Sequence, residues 1–125
     1  MESKPVYKIL IFLKRKAGTT PEQLRDYYES RHARLCEKYA KGALRYVRRY
    51  VTLVPLPGAA TAEEKDFDVI TEIWTDSKAR FEATVNAARQ GIWPPEVIED
   101  EERVFDRSKS RFATVVECDS DLSTL

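Results

Sequence analysis

The chain holds a single histidine, His32, among its 125 residues. Imidazole is the side chain best suited to moving protons near neutral pH. Acid–base chemistry here has one obvious carrier, and a site built on several imidazoles is excluded within one subunit. The spacing around His32 gives it a direction. Leu24, Tyr28 and His32 recur at i, i+4 and i+8, and Leu35 and Tyr39 continue the stripe, as on a helix face turned toward a core. His32 is therefore expected to point into the gap between that helix and the layer it packs on. It either transfers protons there or satisfies a buried carbonyl.

The tyrosines form a second group. Tyr7, Tyr28, Tyr46 and Tyr50 fall on elements that enclose one space. Tyrosine offers an apolar wall with a polar tip, which suits an aromatic or phenolic ligand as well as ordinary packing. Arg48 shares a strand face with Tyr46 and Tyr50, where it holds a ligand carboxylate or faces solvent or an interface. Trp93, ahead of Pro94 and Pro95, reads as a pocket lid or a packed turn. Asp68, at the start of a strand, reads as an edge cap in preference to a group that orients a neighbour. The acidic run Glu96, Glu99, Asp100, Glu101 and Glu102 reads as a solvated helix face, with no imidazole to join it in a metal site. Cys36 reads as an apolar filler and Cys118 as a strand-end residue. No phosphate-binding glycine loop, nucleophile elbow or zinc spacing occurs, so neither metal nor cofactor is expected.

The elements that must position these residues are legible. Val6 to Leu13 is β-branched and aromatic, a central strand. Thr20-Pro21-Glu22-Gln23 starts a helix with a capping box, running to about Tyr39 with Gly42 as its stop. Leu44 to Leu53 alternates as a strand, with Tyr46, Arg48 and Tyr50 on one face. An exposed loop is expected over 55–66, a third strand over Phe67 to Trp74, and a helix over Lys78 to Arg89 capped by Asp76 or Ser77 and closed by Gly91. A short acidic helix, Glu96 to Phe105, precedes the last strand, Arg111 to Glu117.

The order β-α-β-β-α-(α)-β predicts an α+β, ferredoxin-like split βαβ fold with a four-stranded antiparallel sheet. One domain over 1–118 and a polar tail over 119–125 account for the length. The sheet face away from the helices carries Leu10, Phe12, Ile70 and Trp74, too apolar to stay in water. A symmetric homodimer that pairs two sheets face to face is expected. Lys and Arg number 21 and Asp and Glu 21, which argues against a nucleic-acid partner. Two cysteines are too few for a disulfide framework, and no apolar run is long enough for a membrane span or a signal peptide core. A reducing, cytoplasmic setting is expected.

With these residues in place, the segment from Lys8 to Leu35 resembles the start of EthD-type proteins: a strand, the basic loop Lys14 to Lys16, the capped helix at Thr20-Pro21, the pair Tyr27-Tyr28, then His32. The third strand, Asp-led at Asp68 and ending in Trp74, is similar as well. The ending, Phe105 to Leu122, resembles a narrower group, the TpcK-like decarboxylases of fungal anthraquinone-type polyketide clusters, which act on atrochrysone carboxylic acid. The resemblance implies a dimeric α/β barrel and cofactor-free chemistry on aromatic polyketides. By position it places Tyr7, Ile9, Ile11, Tyr28, Val69 and Thr71 on a pocket lining between helix and sheet, with His32 at the polar end. Several polyketide cyclases of this fold use more than one histidine, a dyad this chain cannot supply.

The function expected is removal of CO2 from an aromatic polyketide carboxylic acid, with His32 as general acid. A tyrosine, Tyr28 or Tyr50, holds the enolic oxygen. The rivals are a cyclase or dehydratase in the same pocket, a non-catalytic binding or accessory protein, and a haem-binding barrel with His32 as axial ligand.

Overall fold

In a computed structural model of the chain, residues 4–58 and 65–125 are described; 59–64, inside the loop expected over 55–66, lie outside them. Four strands, β1 (Tyr7–Leu13), β2 (Arg45–Tyr50), β3 (Val69–Thr75) and β4 (Arg111–Thr114), form one sheet in the order β2-β3-β1-β4. Every neighbouring pair is antiparallel. The expected α+β, ferredoxin-like architecture is what the chain adopts. β2 and β4 stop earlier than the alternation suggested, at Tyr50 and Thr114, and β3 starts later, at Val69. The tail is exposed and ends in one 3-10 turn at Leu122–Thr124.

The first helical segment begins as read. The Thr20 hydroxyl accepts from the Gln23 N–H at 3.1 Å, and the Thr20 N–H donates to Gln23 Oε1 at 2.9 Å, satisfying two otherwise orphaned donors. It is not one uniform helix. α1 (Pro21–Tyr27) runs into a π-helical turn over Tyr28–His32, and α2 (Ala33–Ala40) follows. In a regular α-helix an i+4 step overshoots a full turn by about 40°. The wider π turn changes that angle, and the His32 and Tyr28 rings stand edge to face with centroids 5.1 Å apart.

α3 (Lys78–Gln90) is capped by Ser77, whose Oγ accepts from the Arg80 N–H, and is stopped by Gly91 at φ 68°. α4 (Pro95–Val104) carries the acidic run and follows the Trp93-Pro94 turn. These helices lie on one sheet face. Leu13, Leu24, Tyr28, Ala33, Val69, Val104 and Phe105 make the core there.

The loop leaving β1 fastens α4 in place. Lys16 N–H donates to the Val104 carbonyl at 2.8 Å, and Asp106 N–H to the Lys14 carbonyl at 2.9 Å. Asp68 anchors this loop from below. Its buried carboxylate accepts from the Arg15 N–H at 2.8 Å and Arg15 Nε at 3.1 Å, with Lys14 and Lys65 ammonium groups 3.7 and 3.6 Å away. Asp68 is thus an orienting group and not the edge cap expected from its position, because the loop brings cations to it that sequence adjacency does not show.

Candidate functional site

A cavity of about 390 Å³ lies between the sheet and α2, α3 and α4. Its sheet wall includes Ile11, Tyr46, Thr71 and Ile73, and its helix walls include Tyr28, His32, Cys36, Ala83, Ala87 and Val97. Trp93 lines one side and packs at a tilt against Phe112, 5.8 Å between centroids. The volume suits a small, mostly apolar molecule.

His32 is 2 % exposed and fully engaged on one edge. Its Nδ1 lies 2.8 Å from Asp100 Oδ2, and the Tyr27 hydroxyl donates to Asp100 Oδ1 at 2.6 Å. An acceptor carboxylate on Nδ1 assigns the ring proton to that nitrogen. Nε2 is left for the cavity, with Cys36 Sγ at 3.5 Å. Tyr27, Asp100 and His32 therefore form a relay whose inner end, Nε2, meets Cys36 at the cavity wall. Phe105 packs edge-on against both the His32 and Tyr28 rings, at 5.5 Å from each, and fixes the imidazole plane.

The second polar feature is a hydroxyl chain. Tyr28 shares hydrogen bonds with Thr71 at 2.6 Å and Tyr46 at 3.2 Å. Burial pushes the Tyr28 and Tyr46 phenols well up, so both stay protonated. The Cys36 thiol is also pushed up, to about 11, chiefly by burial. It is a neutral thiol in the wall, consistent with its reading as a filler. Glu101 reaches the same wall; burial raises its carboxyl while its pairing with Arg107 at 3.0 Å lowers it. Among the described residues no group of three His, Cys, Asp or Glu side chains is placed to hold a metal ion.

The sequence-expected residues divide. Tyr28, His32, Tyr46, Thr71 and Trp93 meet at the cavity. Three others lie outside its lining, and their expected placement is corrected. Tyr7 stacks on Phe81 at 5.2 Å. Arg48 is held by Glu29, with Nε and Nη2 donating at 3.0 and 2.7 Å, and Tyr50 donates to the same carboxylate at 2.5 Å. The guanidinium thus already has its anion, and it comes from the π turn. Ile9 and Val69 are buried in the sheet but are not on the cavity wall.

The acidic run is the main miss. Asp100 and Glu101 do not belong to a solvated face: Asp100 grips His32 and Glu101 lines the cavity. The signal was present in the periodicity. Val97 and Val104 are the buried positions of α4, and residues three and four after Val97 fall on the same helix side. The density of charge masked that stripe.

The sequence profile of the EthD domain matches residues 16–108. The chain belongs to the EthD family. An EthD-like protein from Ralstonia eutropha JMP134, known from a crystal structure, is similar in fold: TM-score 0.52 at 18 % identity, covering 92 % of this chain and 90 % of that one. Comparison with curated proteins returned no match. Within this EthD domain, no helix among the described residues is long and apolar enough to cross a membrane.

Proposed function

We propose that the cavity removes CO2, without a cofactor, from an aromatic polyketide carboxylic acid of the atrochrysone carboxylic acid type, in the cytoplasm. The observation that carries this reading is the Tyr27–Asp100–His32 relay ending at Nε2 inside an apolar cavity. In a β-keto or vinylogous acid, the bond to the carboxyl carbon breaks and CO2 leaves. The electron pair moves onto the keto oxygen, giving an enolate. Tyr46, hydrogen-bonded to Tyr28, donates to that oxygen. This moves the role from Tyr50, whose hydroxyl is committed to Glu29. His32, protonated at Nε2, then delivers its proton to carbon and regains one from solvent; Asp100 stabilises the imidazolium. The apolar walls disfavour the charged carboxylate relative to the charge-dispersed transition state.

The test is incubation with candidate polyketide acids and product mass analysis, on wild type and on His32→Ala and His32→Gln. Wild type is expected to give product lighter by CO2, with turnover in both variants lower by about 10²–10⁴-fold. Unchanged turnover in folded variants sinks the role of His32. A product lighter by water alone would assign a dehydratase or cyclase to the same acid–base pair.

The functional unit in this proposal is a homodimer joined through the open sheet face. Leu10, Phe12, Val47, Ile70, Trp74 and Ala113 occupy that face by strand register, and all are only half-buried.

A further inference from the structure

The cavity carries a cation that pairs with no carboxylate among the described residues and is held by the carbonyl end of α2. Arg80, on the first turn of α3, lines the wall and is half-buried. Its Nη2 donates to the Tyr39 carbonyl at 3.1 Å, and among the described residues it forms no ion pair with a carboxylate. Arg48, the arginine favoured by sequence, has Glu29. The acidic group on the lining, Glu101, has Arg107. A local backbone feature makes room for Arg80. Gly42 has φ +91°, and a Cβ there would stand 2.6 Å from Arg80 Nη1. Glycine therefore serves both the left-handed turn and the close approach of the guanidinium.

The position of Arg80 relative to His32 follows from α2. Tyr39 lies seven residues beyond His32 on that helix, a span of about 10 Å at the α-helical rise. The cavity thus has an acid–base end, with His32 and its carboxylate, and a guanidinium end beside Tyr39.

We propose that Arg80 is an anion-recognition residue. On this assignment the ligands of the cavity are elongated, largely apolar molecules with an acidic oxygen about 10 Å from the atom that His32 serves. This deepens the reading above, and it rests on that reading only for what happens at the His32 end. A guanidinium stabilises a localised carboxylate more than the dispersed charge of departing CO2. Arg80 is therefore suited to a remote phenolic, enolic or carboxylic oxygen and unsuited to the leaving group. Binding energy gathered there seats the reacting carboxylate in the apolar part of the cavity. The substrate class is then an extended aromatic acid with a second acidic oxygen at its far end.

The probes are an anthracene acid substituted at an end of its long axis and the corresponding uncharged carboxamide, with binding read by probe fluorescence. Wild type is expected to prefer the acid by about tenfold, the scale of one charge-assisted hydrogen-bonded pair. Arg80→Gln should erase the preference, with thermal unfolding at the wild-type midpoint reporting an intact fold. Arg80→Lys should keep part of it. His32→Gln should keep it in full. The proposal is overturned if Arg80→Gln retains the wild-type ratio, if His32→Gln is the variant that loses it, or if wild type binds neither probe. Loss of CO2 release with the Arg80-dependent preference intact would instead overturn decarboxylation alone.

Discussion

The two faces of the sheet come from the same strands and end in opposite conditions. On the helix face, Ile9 and Val69 are buried to 1 % and 0 % exposure, and the deeply placed polar groups among the described residues have partners: Tyr28 with Thr71 and His32 with Asp100. The open face alternates half-buried apolar side chains with charges. Glu72 holds Arg49 and accepts from Trp74 Nε1 at 3.1 Å, and Lys8 and Arg45 lie over the Trp74 ring at 3.8 and 4.6 Å from its centroid. The helix face is internally complete, apart from a cavity shaped for a small molecule. The open face interleaves apolar side chains with ion pairs and cation–π contacts, Glu72 lying between Val47 and Leu10 in the register. Period-two alternation in β1 and β3 divides the face that lines the cavity from the face proposed as a dimer interface.

The largest way to break the completeness of the helix face is to loosen its relay. Asp100→Asn keeps the shape but offers Nδ1 an amide in place of a carboxylate, so the tautomer and the imidazolium lose their support. We expect kcat lower by about 10–10²-fold with KM little changed, and an altered acid limb of the pH–rate profile. Tyr27→Phe, one bond further out, should lie between this variant and wild type. Equal kcat in Asp100→Asn and wild type would make the carboxylate a packing group.

The open face is sharpened by a charge in its middle. Ile70→Glu places a carboxylate opposite Phe12 and Arg49 in the register, and in the proposed dimer it adds like charge from both copies to the interface. The dimer proposed here should dissociate at about 10–10²-fold higher protein concentration, as measured by light scattering on a sizing column. Helix-side fluorescence and thermal unfolding of the separated subunit should stay near wild type, since the substitution touches no core residue. A wild-type chain that runs as a monomer at every concentration would remove the interface reading.

The sequence and the structure agree where the information is local. Alternation fixes the strand faces, and Thr20, Gln23, Ser77 and Gly91 mark helix ends through hydrogen bonds and backbone angles that need only near neighbours. The inward direction of Tyr28 and His32 was legible for the same reason. What was not legible depended on partners far along the chain. Asp100 is 68 residues from His32, and Asp68 is 53 from Arg15. Arg48 shared the correct face with Tyr46 and Tyr50, but its face did not reveal Glu29 on the π turn as its counter-ion. Arg80 went unnoticed because its place in the cavity depends on how Gly42 turns and where α3 docks.

The smallest expected effect tests whether the Glu29 cluster is structure and not site. The Arg48 guanidinium, followed by the Tyr50 hydroxyl, holds the Glu29 carboxyl down to about 2 from an ordinary 4.5, against burial, which raises it. A carboxylate depressed in the folded state stabilises it fully above the unfolded value, and that contribution is lost as pH falls through the folded one. The window is therefore pH 4.5 down to about 2. The Glu29 side chain is 40 % exposed, so after solvent screening its share is about 1 kcal/mol. Urea unfolding of wild type and Glu29→Gln should differ by that amount at neutral pH and converge as pH approaches 2, because every other carboxylate is common to both chains. A gap that persists at low pH would assign the difference to packing of the Glu29 side chain and not to its charge. Affinity for the anthracene acid should be equal in the two proteins, since neither Glu29 nor its two partners reaches the cavity wall. A loss of acid binding in Glu29→Gln would return Arg48 to the site and place the anion-binding end at β2, away from Arg80.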